Sequence, residues 1–215
     1  MKVDRLIAKN RHMRDREAMF RGGPKDQEEV GVMSRLVKDK SAMYNIIIMI
    51  IVWVCTSLTF YMFNFFIKYM PGDIYFNSIV SSFAVGVLIL QTWLVQTLGA
   101  KKSIMLTFVV TTLSSLLLCF FDKGTPHLLA YALTLMVAKG GATMNFGLAY
   151  AIHQDLFPQF FMITSYGVCN FFCRGLAMFA PIIAEVPNRL LPLAFCVVMS
   201  SIGFFASSSL RKKEE

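Results

Sequence analysis

Lys139 and Arg174 are the residues of this chain best placed to do chemistry, because each stands near the middle of a long apolar run. A lone cation at the centre of a bilayer costs roughly 2.5–3.5 kcal/mol on insertion scales, so something must offset that cost. The acids Asp73, Asp122, Asp155 and Glu185 all fall between the apolar runs and none falls inside one. A salt bridge within the chain at that depth is therefore not expected. The partners left are backbone carbonyls, water in a cavity, a carboxylate from another chain or a bound anionic solute. Gly140, Gly141 and Ala142 leave room around the Lys139 ammonium. Lys139 has a plainer reading too: its stem snorkels, or its head sits in a wet crevice that folding requires.

These cations are set in a sequence of 215 residues that is 56% hydrophobic and 16% charged, with the charges crowded towards the two ends. That composition predicts an all-α, polytopic membrane protein. Six apolar runs, at 44–67, 74–98, 103–121, 127–151, 162–184 and 190–209, are each close to the twenty or so residues that cross a bilayer as helix. Breakers such as Pro71-Gly72-Asp73, Gly124-Thr125-Pro126 and Pro187-Asn188 separate them. Short connections predict antiparallel neighbours in a compact six-helix bundle, which puts Lys139 and Arg174 at similar depth on consecutive helices.

Three regions follow: a basic segment at 1–43, a six-helix domain at 44–210 and a charged tail at 211–215. In the first, Val3, Leu6, Met13 and Phe20 recur at intervals of three and seven residues between Arg and Lys. This spacing fits an amphipathic helix lying on the inner membrane face, and a basic tail held by lipid headgroups fits as well. No cleavable signal is expected, since residues 1–40 lack an apolar core, and Asp4, Asp15 and Glu17 speak against an organelle presequence. The net charge of +8 suggests nucleic acid at first, but eleven of the 21 Lys and Arg precede residue 44, interleaved with acids and next to a span. The positive-inside rule explains them better. With six spans both termini share one side, together with Lys101 and Lys102. That side is expected to be the cytosol or an equivalent inner compartment.

Other chemistry finds little support. The five cysteines all lie in apolar runs with no histidine at metal-ligand spacing, so they read as small buried residues and no metal is expected. His12, His127 and His153 lack a neighbouring nucleophile with an orienting third group. No phosphate-binding glycine loop occurs, so neither an enzyme nor a cofactor is expected.

The polar content of the first spans prefers helix contacts or a cavity to lipid. It includes Trp53, Thr56, Ser57, Thr59, Tyr61 and Asn64, then Ser78, Ser81, Ser82, Gln91 and Gln96. Helix packing alone would account for most of it. Lys139-Gly140, Phe146, Asp155-Leu156-Phe157-Pro158, Gly167, Arg174 and Pro181, in this order and spacing, resemble the C-terminal six-helix half of a major facilitator superfamily transporter, in its organic cation and organic anion branch. Trp53, Ser57 and Tyr61 are similar to the seventh helix of that family. The resemblance implies that Arg174 reads anionic substrates, that Lys139 lines the same cavity, and that Trp53 and Tyr61 offer aromatic surface to substrate or to the partner half. It also implies gating or structural roles for Lys101, Lys102, Asp155, Pro158 and Pro181. Binding would lie at the midplane between two halves that rock in alternation.

The sequence departs from the family at two charges. The acid that should precede Gly99-Ala100-Lys101-Lys102 is absent, and Met162 replaces an expected Arg. Two functions therefore stay open. One is a carrier of small organic anions that pairs with a second six-helix half or a copy of itself. The other is a degenerate half-transporter serving as a structural subunit of a larger membrane complex.

Overall fold

A computed structural model describes residues 40–69, 75, 78–79, 82, 86–121, 128–157, 159–188 and 190–210. The chain divides into two units, Met1–Met43 and Tyr44–Glu215. The expected amphipathic helix at 1–43 lies, but for residues 40–43, outside the described residues, as do Lys123, Pro158 and the tail.

The second unit is built of helices, as a low-dielectric surrounding demands: a backbone without water must satisfy its own hydrogen bonds. Helix α1 spans Lys40–Phe66 and ends in a 3-10 turn at Ile67–Tyr69. Then come α2 at Val87–Leu98, α3 at Ala100–Phe120 and α4 at Leu128–Leu156. Helix α5 at Gln159–Ala177, the short α6 at Ala180–Ala184 and α7 at Leu190–Ser209 complete the order. Among the described residues, four helical segments are long and apolar enough to cross a membrane: Met43–Tyr69, Ala100–Phe120, Phe161–Ala184 and Leu190–Ser209. The protein is a polytopic all-α membrane protein.

Three expected spans differ in detail. Of the run at 74–98, the helix described is the 12-residue α2. Helix α4 is long enough at 29 residues, but it is not one of the four apolar segments. Its middle carries Lys139, Gly140, Gly141 and Asn145, and Ala138, Ala142, Asn145 and Leu148 are buried among neighbouring helices. Its polarity thus belongs to packing within the protein. The run at 162–184 is interrupted by a turn at Met178 and Phe179, after which Pro181 sits in the first turn of α6, where its missing N–H costs nothing.

Helix α3 is the hub, packed against α2, α4 and α7. Its buried stripe includes Ser103, Thr107, Thr111, Ser114 and Ser115. Their hydroxyls donate back along the helix, for example Thr111 to the Thr107 carbonyl at 2.8 Å and Ser115 to that of Thr111 at 2.6 Å. The stripe is small and internally satisfied, so α4 approaches closely. A Cβ on Gly141 of α4 would run into the Thr111 hydroxyl. Asn145 ties the two helices, accepting from Thr107 and donating to Thr111 at 3.2 Å. At the other face of α3 the Phe108 ring lies against Gly203 of α7. A further core cluster joins Met62, Phe63 and Phe66 of α1 to Leu118, Tyr131, Leu135, Leu193 and Cys196.

The connection between the apolar runs at 74–98 and 103–121 shrinks to one residue. Gly99 has φ +79, a conformation that favours glycine, and its N–H closes α2 on the Val95 carbonyl at 3.0 Å while Ala100 opens α3.

The close approach of α3 and α7 yields a direct test. Gly203→Val must push against the rigid Phe108 ring and should lower stability by about 1–3 kcal/mol. Gly175→Ala, on an open surface of α5, should leave it nearly unchanged. Melting temperatures of the two purified variants in one detergent separate the effects, and equal melting would contradict the packing described.

Candidate functional site

Three helices bring an aromatic face together. On α1, Trp53, Phe60 and Tyr61 fall at helical spacing on one side. On α4, Phe146, Tyr150 and His153 form a stripe at intervals of four and three, and Lys139 lies on the same stripe two turns earlier. Helix α5 supplies Tyr166 and, two turns further, Arg174.

The rings interlock. Trp53 meets Tyr150 edge-on at 4.5 Å between centroids and Tyr166 at 5.7 Å. Phe60 stacks on Phe146 at 5.4 Å, and Phe146 meets Tyr150 at 5.5 Å. His153 stacks on Tyr166 at 4.1 Å, and its Nε2 lies 2.7 Å from the Ser165 hydroxyl. The Tyr166 hydroxyl donates to the Tyr150 carbonyl at 3.2 Å, joining α5 to α4. Edge-on and stacked pairs of this kind each add about 0.5–1.5 kcal/mol beyond burial, so the face is stiff.

Arg174 stands at the edge of this face. Its Nη1 donates to the Tyr61 hydroxyl, and the guanidinium carbon lies 5.9 Å from the Tyr61 ring centroid. Arg174 is exposed and Tyr61 half-buried. Among the described residues Arg174 pairs with no carboxylate. A guanidinium that spends one of its five N–H groups on a neutral phenol keeps its charge and most of its donor fork for a planar anion. Phe60, Phe146 and Tyr150 are also half-buried, so flat apolar surface lies beside the charge.

The other expected site residues are distributed as follows. Trp53 is fully buried, with its Nε1 unpaired among the described residues, so it supports the face from within. Lys139 is half-buried on the α4 stripe. Lys101, Lys102 and Asp155 gather elsewhere, around a cavity of about 310 Å³ where the α2–α3 turn meets the ends of α4 and α7. Pro181 is half-buried in α6, and Pro158 lies outside the described residues. Tyr150, Tyr166 and His153 were not singled out as site residues by the sequence. Their spacing on α4 and α5 is the signal that could have found them.

No family model matches the chain. The chain is similar to proteins named synaptic vesicle 2-related protein: 34% identical over 101 residues to those of Bos taurus and Rattus norvegicus, and 33% to that of Pongo abelii. In each case the aligned part is 47% of this chain and 18% of the relative. This partial likeness supports a major-facilitator-like, transporter-like membrane protein, at the level of the superfamily and not of its organic cation and anion branch.

Proposed function

We propose that this protein is one half of a carrier of small organic anions, with Arg174 as the cation that recognises them and Tyr61, Phe60, Phe146 and Tyr150 as the surface against which they lie. The carrying observation is the pairing of exposed Arg174 with the phenol of Tyr61, beside half-buried rings and, among the described residues, with no carboxylate partner. Lys139, on the same α4 stripe, adds a second positive charge at the site. The partner is a second six-helix half, separate or a copy of this chain, which closes the site from the opposite side.

The scaffold reading is favoured by a specific observation: Met162 stands where the resemblance expects an Arg, and Gln96 where it expects an acid three residues before Gly99. In that reading the Arg174 face packs on another subunit.

Uptake of labelled organic anions into vesicles carrying the protein and its partner half separates the two. Arg174→Ala should reduce uptake by about tenfold to a hundredfold, as expected for a lost charge-assisted contact of about 1.5–3 kcal/mol, while Arg174→Lys retains part of it. Unchanged uptake in Arg174→Ala would rule out the anion reading. Absence of uptake by the wild type, with fixed-ratio co-purification of other membrane subunits, would favour the scaffold.

A stability contrast comes with it. Trp53→Ala empties the interior behind the face and should cost about 3–5 kcal/mol, whereas Arg174→Ala should stay within about 0.5 kcal/mol of wild type. Melting of the purified variants reads both. A large loss in Arg174→Ala would make Arg174 a structural residue.

A further inference from the structure

The cavity of about 310 Å³ at the α2–α3 turn joins two kinds of surface. Leu98, Ile152, Leu156 and Leu210 give it apolar walls, and Lys101, Lys102 and Asp155 its polar ones. Lys101 Nζ donates to the carbonyl of Leu210 at 2.6 Å, which anchors the end of α7 and leaves two of its three N–H groups for other acceptors. Lys102 is exposed. Two basic residues, Lys101 and Lys102, thus line the cavity against one carboxylate, Asp155. This is an end of the helical bundle, where a membrane protein meets lipid headgroups.

We propose that this cavity seats the headgroup of an anionic glycerophospholipid. Lys101 and Lys102 bind the phosphate, while the leucine and isoleucine walls take the glycerol backbone and the start of the acyl chains. Those walls offer nothing to a free phosphate ion. Asp155, on the same wall, repels a bare phosphate but accepts a hydrogen bond from a headgroup hydroxyl or ammonium. The occupant is thus a phosphodiester lipid carrying its own donor. Basic residues near a membrane surface contribute enough attraction for about fivefold in binding each. A lipid held here would brace the single-residue turn at Gly99 against the end of α7. The inference is independent of the Arg174 site and of transport.

The test uses the full chain purified in neutral detergent, with fluorescent phosphatidylglycerol and fluorescent phosphatidylcholine as probes. The wild type should prefer phosphatidylglycerol. Lys102→Gln should reduce that preference about fivefold, and Lys101→Gln/Lys102→Gln should reduce it further. Lys68→Gln, on a cation paired with Glu185 at 3.4 Å, should leave it unchanged. Circular dichroism and gel filtration show whether the double variant is folded, and the single Lys102 variant decides the matter if it is not. Excess inorganic phosphate should fail to displace the lipid. Displacement by phosphate would mean a soluble-anion site, an equal loss in Lys68→Gln would mean diffuse surface charge, and an unchanged preference in Lys102→Gln would mean binding elsewhere. Each of these results overturns the proposal.

Discussion

The constraint on which this structure turns is a guanidinium held at the edge of a membrane helix by a neutral phenol. A carboxylate beside Arg174 would cancel its charge and bury the pair as structure. Bare lipid beside it would cost several kcal/mol with no return. The Tyr61 hydroxyl does neither: it accepts one hydrogen bond and fixes the direction of the fork, and among the described residues Arg174 meets no carboxylate. Of the four long apolar segments, the one that carries Arg174 is the least buried. In the most apolar window of Phe161–Ala184, 22% is buried, against 56% for Met43–Tyr69, so the charge is presented outward.

Holding that arrangement requires a rigid interior, and two different devices supply it. On the α1–α4–α5 side, rings from three helices lock edge to face around fully buried Trp53. On the α3–α4 side the packing is close and small, with back-bonded hydroxyls meeting Gly141 and with Asn145 as the polar tie. Helix α4 takes part in both and also carries Lys139, which explains why it is long yet less apolar than its neighbours. Its polar residues face protein on two sides.

Much of this was legible in the residues. The apolar runs gave the helical class, because their length matches a bilayer and few other structures can satisfy a backbone there. Arg174 stood out as a charge in an apolar run. Tyr61 was noticed for its family position, but its bond to Arg174 depends on how α1 and α5 are rotated about their axes, which hydropathy does not encode. The same blindness applied to Trp53, expected to offer aromatic surface to substrate or to a partner half and found fully buried: an aromatic ring is equally apolar in either place. His153 does lie in the last turn of α4, but the apolar run at 127–151 stops short of it, so hydropathy gave no sign that its imidazole stacks on Tyr166. The apolar runs at 74–98 and 103–121 leave Gly99, Ala100, Lys101 and Lys102 between them. One glycine at positive φ suffices to reverse the chain, so the lysines fall inside the first turn of α3.

The most direct measurement is the chemical reach of position 174 in a membrane. In an Arg174→Cys variant reconstituted into lipid vesicles, the native cysteines offer little background, since Cys55, Cys169, Cys173 and Cys196 are buried and Cys119 is half-buried. If the face is a polar space, a charged, membrane-impermeant maleimide should label position 174, and it should leave a cysteine at Leu113, on the exposed apolar side of α3, unlabelled. Labelling of position 174 by lipid-soluble maleimide alone, as at Leu113, would place Arg174 against acyl chains and contradict the claim.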